Sequence, residues 1–407
     1  MAYGFSLDDV AFLRSAAGRA ALAEGAALPL TDASRLTDVA AVRRSVGERF
    51  AAAVLETVVL RRKSAGKLAG ADEWLFTGDA LQQASATLVA RHRAARLAGR
   101  DVHDVTCSVG ADLVELARVA KRTLGSDVDR VRLEMARHNA SAAGVLAGLV
   151  QADALRPASR DTVVVADPAR RDSAGRRTWK PADFAPPLDG LVDAYPGRPL
   201  SVKCAPGLDF TIVPWADEVE LVSLDGAVRE ACLWRGLGNG VARRATVLRS
   251  DGTQWTVVDT DPDELPSRSP GEWLVDPDGA VVRAGLVRHY AARHGLWQLD
   301  ERIAYLTGDT PPPGVRAFRV LEHGPYSEKA LRASLKRLDV GRLEILVRGL
   351  DVDPDALRRR LKPRGHEEST VVLTRIGRSP VAFVCRAERI RSEGSPDEIV
   401  GVDFGRS

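Results

Sequence analysis

The stretch Val102–Asp112, reading Val-His-Asp-Val-Thr-Cys-Ser-Val-Gly-Ala-Asp, constrains this chain more than any other. Apolar alternation leads into it, and a helical pattern at Leu113, Leu116, Ala117 and Ala120 leads out. It therefore reads as a strand that ends in a tight turn and opens a helix. In an open α/β sheet such a junction presents backbone N–H groups and a helix N-terminus, where a nucleotide-like ligand can sit. Only one glycine, Gly110, stands in the turn. The functional reading depends on whether this is a ligand-binding turn or an ordinary strand–helix corner.

The sequence around the turn repeats the same alternation. Strands are predicted at 102–106, 124–127, 147–151, 162–166, 199–204, 217–223 and 229–235, with helices at 112–122, 130–143 and within 178–195. Short connections between alternating strands and helices specify a mainly parallel, doubly wound sheet. Leu224-Asp225-Gly226-Ala227 joins the last two strands, and Asp-Gly is a strong hairpin signal. The expectation is α/β: a Rossmann-like, seven-stranded sheet over 99–240 with a terminal antiparallel hairpin.

Residues 1–98 form a helical region. Val39, Val42, Val46, Phe50, Val54 and Val58 follow the spacing of a buried helix face, with Thr31, Asp32 and Ser34 as caps. Trp74 and Phe76 read as a hydrophobic anchor before a helix over Ala80–Leu97. Residues 241–315 are a mixed connecting region. They hold a hairpin (Ala245–Leu248 with Gln254–Val258), a helix over Val281–His294, and Pro311-Pro312-Pro313-Gly314 as the clearest linker. Residues 316–395 form a small α+β domain of about 75 residues, near the lower size for independent folding. Its strands are predicted at 316–322, 342–348, 369–376 and 380–386, and its helices at 327–337 and 354–361.

Composition removes several function classes. A chain of 407 residues with 45% hydrophobic content can build sizeable cores. No apolar run approaches the roughly 18 residues of a membrane span, and Asp8, Asp9 and Glu24 do not suit a signal peptide. Cysteines 107, 204, 232 and 385 lie far apart, which argues against a zinc site or disulfide framework and points to a reducing cytoplasm. Fifty of the 58 basic residues are arginine. Arginine suits phosphate and carboxylate recognition, although GC-rich coding is the main reading of the bias. The net charge of +3 does not establish nucleic-acid binding.

Four carboxylates carry the argument for a site. Asp104, Asp127, Asp153 and Asp167 each fall at the carboxyl end of a predicted parallel strand, on one rim of the sheet. One such aspartate is more often a helix cap or turn residue; four in serial order are stronger. Asp127 is placed to take ribose hydroxyls, and Asp153 to face an adenine edge. Asp167-Pro168-Ala169-Arg170-Arg171 closes the fourth strand. Asp167 can accept a hydrogen bond or a proton, and Arg170 and Arg171 can clamp a phosphate. Lys203, ending the fifth strand, is a candidate substrate contact. Trp179 offers a stacking surface, and Cys107 reads as a small buried thiol. The basic run Arg358–Arg360, Lys362, Arg364 and His366 suits either a solvated helix end or an RNA backbone.

On these motifs, residues 99–235 resemble class I S-adenosylmethionine-dependent methyltransferases. The Asp104–Asp112 turn looks like that family's first motif, with Cys-x-Val-Gly similar to the trimethylguanosine synthase branch. Asp127–Asn139 looks like the second motif. The C-terminal domain, with Trp74–Ala98 and Asp167–Arg171, resembles bacterial proteins carrying a THUMP-like domain; THUMP domains are RNA-binding modules. The resemblance implies S-adenosylmethionine held by Asp104, Ser108, Gly110, Asp127 and Asp153. Side-chain chemistry at the strand ends places Asp167 and Arg170 at the expected reaction centre, and Arg171 and Lys203 toward the substrate. No metal and no membrane partner are expected. Ser108 and Ala111 replace glycines common in the first motif, and the Asp-Pro-Ala-Arg stretch lacks the aromatic that stacks a target base in amino-methyltransferases. The expected activity is methylation of structured RNA in the cytoplasm; the alternative is a non-catalytic RNA- or protein-binding module that keeps the fold. A nicotinamide-dependent dehydrogenase suits the sheet, but the turn lacks Gly-x-Gly-x-x-Gly.

Overall fold

Alanine-rich sequence with helical periodicity folds before residue 98 into five helices: α1 (Leu7–Arg14), α2 (Ala16–Ala26), α3 (Arg35–Ser64), α4 (Gly78–Gln83) and α5 (Thr87–Ala95). The computed structural model describes residues 3–169 and 180–389, and the chain divides into two units between Thr256 and Val257. Ser6 caps α1 through a reciprocal pair with Asp9. On α3, Val42, Val54 and Val58 are buried as their spacing predicts. The helix is kinked at Gly47, whose φ of 78° and ψ of 168° are not helical. Trp74 and Phe76 are buried anchors.

The helix predicted over Ala80–Leu97 is two helices, α4 and α5, separated at Ala84–Ala86. Two ammonium groups account for the break. Lys67 donates to the carbonyls of Leu81 (2.7 Å) and Gln82 (3.2 Å), and Lys203 donates to that of Gln83 (3.2 Å). Cations on the last carbonyls stabilise a helix end.

The first unit's sheet has the expected parallel centre: β1 (Asp101–Asp104), β2 (Arg122–Asp127), β3 (Gly148–Gln151), β4 (Val163–Ala166) and β5 (Leu200–Cys204). The connecting helices are α6 (Ala111–Val119), α7 (Arg130–Ala142) and α8 (Leu188–Ala194). The hairpin β6 (Glu218–Leu224) and β7 (Ala227–Arg235) turns through Asp225 and Gly226, both at positive φ, as a two-residue hairpin requires. β7 inserts between β5 and β6, antiparallel to both. The sheet has nine strands where seven were expected, because β8 (Arg243–Leu248) and β9 (Gln254–Val258) continue it beyond β6. The hairpin is thus internal. The full order is β3-β2-β1-β4-β5-β7-β6-β8-β9.

The second unit carries a seven-stranded sheet in the order β11-β12-β10-β13-β16-β15-β14. Its strands are β10 (Trp273–Val275), β11 (Trp297–Asp300), β12 (Ile303–Gly308), β13 (Arg316–Pro325), β14 (Val340–Val347), β15 (Glu367–Ile376) and β16 (Ser379–Arg389). Here the predicted connecting region 241–315 dissolves. β8 and β9 belong to the first sheet, whereas β10, β11 and β12 share a sheet with β13. Pro311–Gly314 is accordingly a loop between two strands of one sheet, not a link between domains. The predicted helix Val281–His294 is two short helices, α9 (Gly279–Arg283) and α10 (Val287–Arg293), parted at Gly285 with φ of 71°. α11 (Glu328–Arg337) and α12 (Pro354–Leu361) lay Leu331, Leu335, Leu357 and Leu361 on Val371, Leu373, Ala382 and Val384.

Candidate functional site

The carboxyl ends of β1, β2, β4 and β5 open on a cavity of about 500 Å³. That volume suits a nucleoside-sized ligand. Asp104, Ser108, Asp127, Asp153, Asp167 and Lys203 all line it, so the structure gathers most of the residues singled out from the sequence. Gly110 lies just behind the lining as the N-cap of α6, at φ of 85°. A Cβ there would come within 3.3 Å of Ala136, so the glycine meets both a conformational and a packing need. Arg170, Arg171 and Trp179 lie outside the described residues.

The turn is held by its neighbours rather than by glycines. Ser108 adopts φ of 49°, the left-handed region that a glycine would enter without cost. Its N–H donates to Asp127 Oδ2 at 3.0 Å, and the Asp129 N–H donates to Asp127 Oδ1 at 2.8 Å. Asp127 is thereby fixed in orientation, with further lone pairs able to accept from a ligand. Asn139, fully buried on α7, donates to the carbonyls of Val109 and Leu75 and accepts from the Leu75 N–H. One amide therefore ties the turn to the helical region. Asp153 is exposed at the rim, its Oδ1 accepting from the Leu155 N–H at 2.9 Å.

The opposite end of the cavity is a charged cluster. Asp167 Oδ2 pairs with Lys203 Nζ at 2.5 Å, and the Asp167 N–H donates to Thr106 Oγ1 at 2.7 Å. Lys203, expected to contact substrate, is committed to Asp167 and to the Gln83 carbonyl. Burial works against its ammonium, but Asp167, Asp112 and Glu230 outweigh burial and hold it above the ordinary lysine range. Asp104 is 4% exposed and accepts from the Thr106 N–H. Burial, reinforced by Asp112, pushes its carboxyl up to about 8. Asp104 is therefore largely protonated at neutral pH.

Sequence reasoning missed three members of this cluster. Arg93 on α5 is 3% exposed and bridges Asp112 Oδ2 (2.8 Å) to Glu230. Ser85, in the break between α4 and α5, lies 3.4 Å from both carboxylates. Glu230 lies on β7, 137 residues from Arg93, so no local spacing reveals the pair. The available signal was Asp112 itself, an acidic residue beside the turn. Phe184, buried and also lining the cavity, supplies an aromatic wall that the Asp-Pro-Ala-Arg stretch lacks. Among the described residues no group of histidine, cysteine and carboxylate side chains could hold a metal ion. No helix there is long and apolar enough to cross a membrane.

Comparison with known proteins adds the following. The family model described as THUMP domain-like matches residues 315–387, and one described as Domain of unknown function (DUF8688) matches residues 6–64. Two curated relatives, from Mycobacterium tuberculosis strains CDC 1551 and H37Rv, are each 54% identical over 363 residues. The match covers 86% of this chain and the full length of each relative, and both are named uncharacterized S-adenosylmethionine-dependent methyltransferases. A solved structure from Porphyromonas gingivalis W83, described only provisionally as a methyltransferase, superposes with a TM-score of 0.69 at 19% identity. It covers 95% of this chain and 99% of that one, which shows a shared fold.

Proposed function

The chain belongs to the S-adenosylmethionine-dependent methyltransferases with a C-terminal THUMP-like domain, and from that premise we propose that its acceptor is structured RNA. S-adenosylmethionine is the cofactor of this family. The residues present fit it. The cavity is large enough, and Asp127, held by two backbone N–H donors at the turn, keeps lone pairs able to accept from ribose hydroxyls. When bound, the cofactor supplies an electrophilic methyl group.

The chain's own residues then bind, orient and exclude water. Asp127 takes the ribose hydroxyls and Asp153 the adenine amino group, while the Ser108–Gly110 backbone and Asp104 border the methionine portion. Methyl transfer from a sulfonium asks mainly for in-line approach and a dry site. Asp167, fixed by Lys203 and Thr106, accepts a hydrogen bond or a proton from the acceptor atom. Phe184 offers the acceptor an apolar wall.

The observation that carries the RNA reading is the THUMP-like match over 315–387. The helices of that segment support it: Lys329 and Lys336 on α11, Arg359 on α12, and Lys362 and Arg364 beyond it are all exposed. Cations so placed suit a phosphate backbone. The test is incubation of the full chain with labelled methyl donor and total RNA from a strain lacking the gene. We expect label to enter RNA with wild type and to fall by at least about 100-fold with Asp167→Ala. RNA binding without any transfer, or transfer to protein alone, overturns the reading.

A further inference from the structure

We infer that Asp167 and Lys203 together select a nucleobase with a ring N–H beside a carbonyl, as guanine and uracil have, for methylation on that ring nitrogen. The inference rests on the RNA reading above and names the acceptor class of the same site. Asp167 follows β4, Lys203 stands near the end of the adjacent β5, and both line the cavity. Asp167 gives Oδ2 to Lys203 Nζ at 2.5 Å, and its Oδ1 takes no hydrogen bond among the described residues. Lys203 spends two of its three N–H donors, on Asp167 and on the Gln83 carbonyl at 3.2 Å, and keeps a third. An acceptor oxygen and a donor nitrogen thus stand side by side. A ring N–H with an adjacent C=O is their complement.

The neighbouring wall fits a flat ring. Ala169 and Ala185 exchange backbone hydrogen bonds at 2.8 and 2.9 Å, which ties the segment after Asp167 to the one that carries Phe184. Phe184 is buried and lines the cavity, and aromatic side chains are the usual stacking partners of an unstacked RNA base.

The charge that develops on the acceptor separates the classes. A ring N–H beside a carbonyl has no lone pair to offer until its proton leaves, and negative charge then spreads onto the carbonyl oxygen. Asp167 Oδ1 takes the proton and Lys203 stabilises the oxygen. The freed pair forms the N–C bond to the donor's methyl group, while the C–S bond breaks and sulfur keeps its pair. An exocyclic amine, as on adenine or cytosine, instead becomes positive as it attacks, and a cation at its edge opposes it. Lys203 stays charged: Asp167, Asp112 on α6 and Glu230 on β7 outweigh burial and the like charges of Arg93 and Lys67. Cys107 also lines the cavity, but burial pushes its thiol well up, so it supplies no thiolate to activate a ring carbon. A ribose hydroxyl has no use for Phe184.

The test is mass spectrometry of nucleosides after the full chain has been incubated with labelled methyl donor and total RNA from a strain lacking the gene. Label is expected on guanine N1 or uracil N3. Label in RNA on an exocyclic amine, a ring carbon or a ribose oxygen overturns the inference and leaves the RNA reading standing; absence of label from RNA overturns both. Lys203→Met should lower transfer at pH 7 by about 100-fold and keep the affinity for S-adenosylhomocysteine in calorimetry. Its deficit against wild type should shrink by about tenfold toward pH 9, because the acceptor then loses its proton unaided. Asp104 titrates in the same range in both proteins, so the ratio of the two rates is what is read. A deficit that does not change with pH overturns the inference. If Lys203→Met loses S-adenosylhomocysteine affinity, Lys203→Arg keeps the cation and must still methylate the same atom at a rate within about tenfold of wild type; failure there overturns it as well.

Discussion

The two units draw on the same arginine-rich composition and use it in opposite ways. In the first unit, arginines reach buried carboxylates far away in the chain: Arg93 to Glu230, Arg96 to Glu218 and Glu220, and Arg244 to Glu218. Glu218 and Glu220 are completely buried, and Trp234 Nε1 and Thr246 Oγ1 donate to Glu220 as well. In the second unit, Arg337–Glu322, Arg360–Glu328 and Arg358–Asp355 lie at the surface, with arginine exposures of 61%, 49% and 42%. Buried pairs fix one geometry because breaking them strands a charge. Surface pairs are worth little and exchange partners readily. The first arrangement suits the wall of a cavity, and the second suits a face that meets phosphates.

The sharpest way to break this contrast is to remove a partner from each side. Arg93→Met leaves Asp112 and Glu230 without the guanidinium that bridges them. It should lower the unfolding free energy by about 3–5 kcal/mol in urea titration at neutral pH. A loss below about 1 kcal/mol would place the buried network in the same class as the surface pairs.

A pH-dependent effect is expected at Asp104, where the carboxyl sits at about 8 in the folded chain against an ordinary value of about 4. Its folded pKa is raised, so the stability it contributes is complete below about pH 4 and is lost as pH rises toward about 8. Asp104→Asn escapes that loss and can still accept from the Thr106 N–H. The melting temperature of the variant should exceed that of the wild type by a margin that widens from pH 5 to pH 8. A constant margin would show that Asp104 does not titrate in this window.

The smallest stability effect belongs to the second unit. Arg359→Ala and Arg364→Ala should each change stability by no more than about 0.5 kcal/mol. Each should nevertheless weaken RNA binding at low salt and reduce the salt slope by about one. Unchanged RNA affinity in filter-binding across a salt series would remove these two residues from the proposed RNA contact.

What could be read from sequence was what is local. The strand–turn–helix at Asp104–Asp112, the Asp225-Gly226 hairpin and the serial aspartates at strand ends all follow from neighbours within a few residues. Asp104, Ser108, Asp127, Asp153, Asp167 and Lys203 accordingly meet in one cavity. What escaped is what depends on distant partners. Lys67 and Lys203 end α4 from outside it, so periodicity alone runs a single helix through the break. β8 and β9 look like β10 and β12 in sequence, and only pairing assigns one set to each sheet. Pro311–Gly314 has a linker's composition and a loop's position. The ion pair of Lys203 with Asp167 escaped as well, because it depends on β4 and β5 lying side by side.

The position of β6 has a practical consequence for handling the protein. All seven of its residues are buried, and β8 pairs with it in parallel along its far side. A chain trimmed after Arg235 would retain every strand from β1 to β7 and look complete by motif. It would also strip β6 of a partner and leave a strand that is buried in the whole sheet at the edge, with open backbone donors and acceptors. Such an edge is a template for sticking to other chains. The hairpin after Arg235 therefore acts as a seal on the catalytic sheet, and a solubly expressed fragment has to run past it.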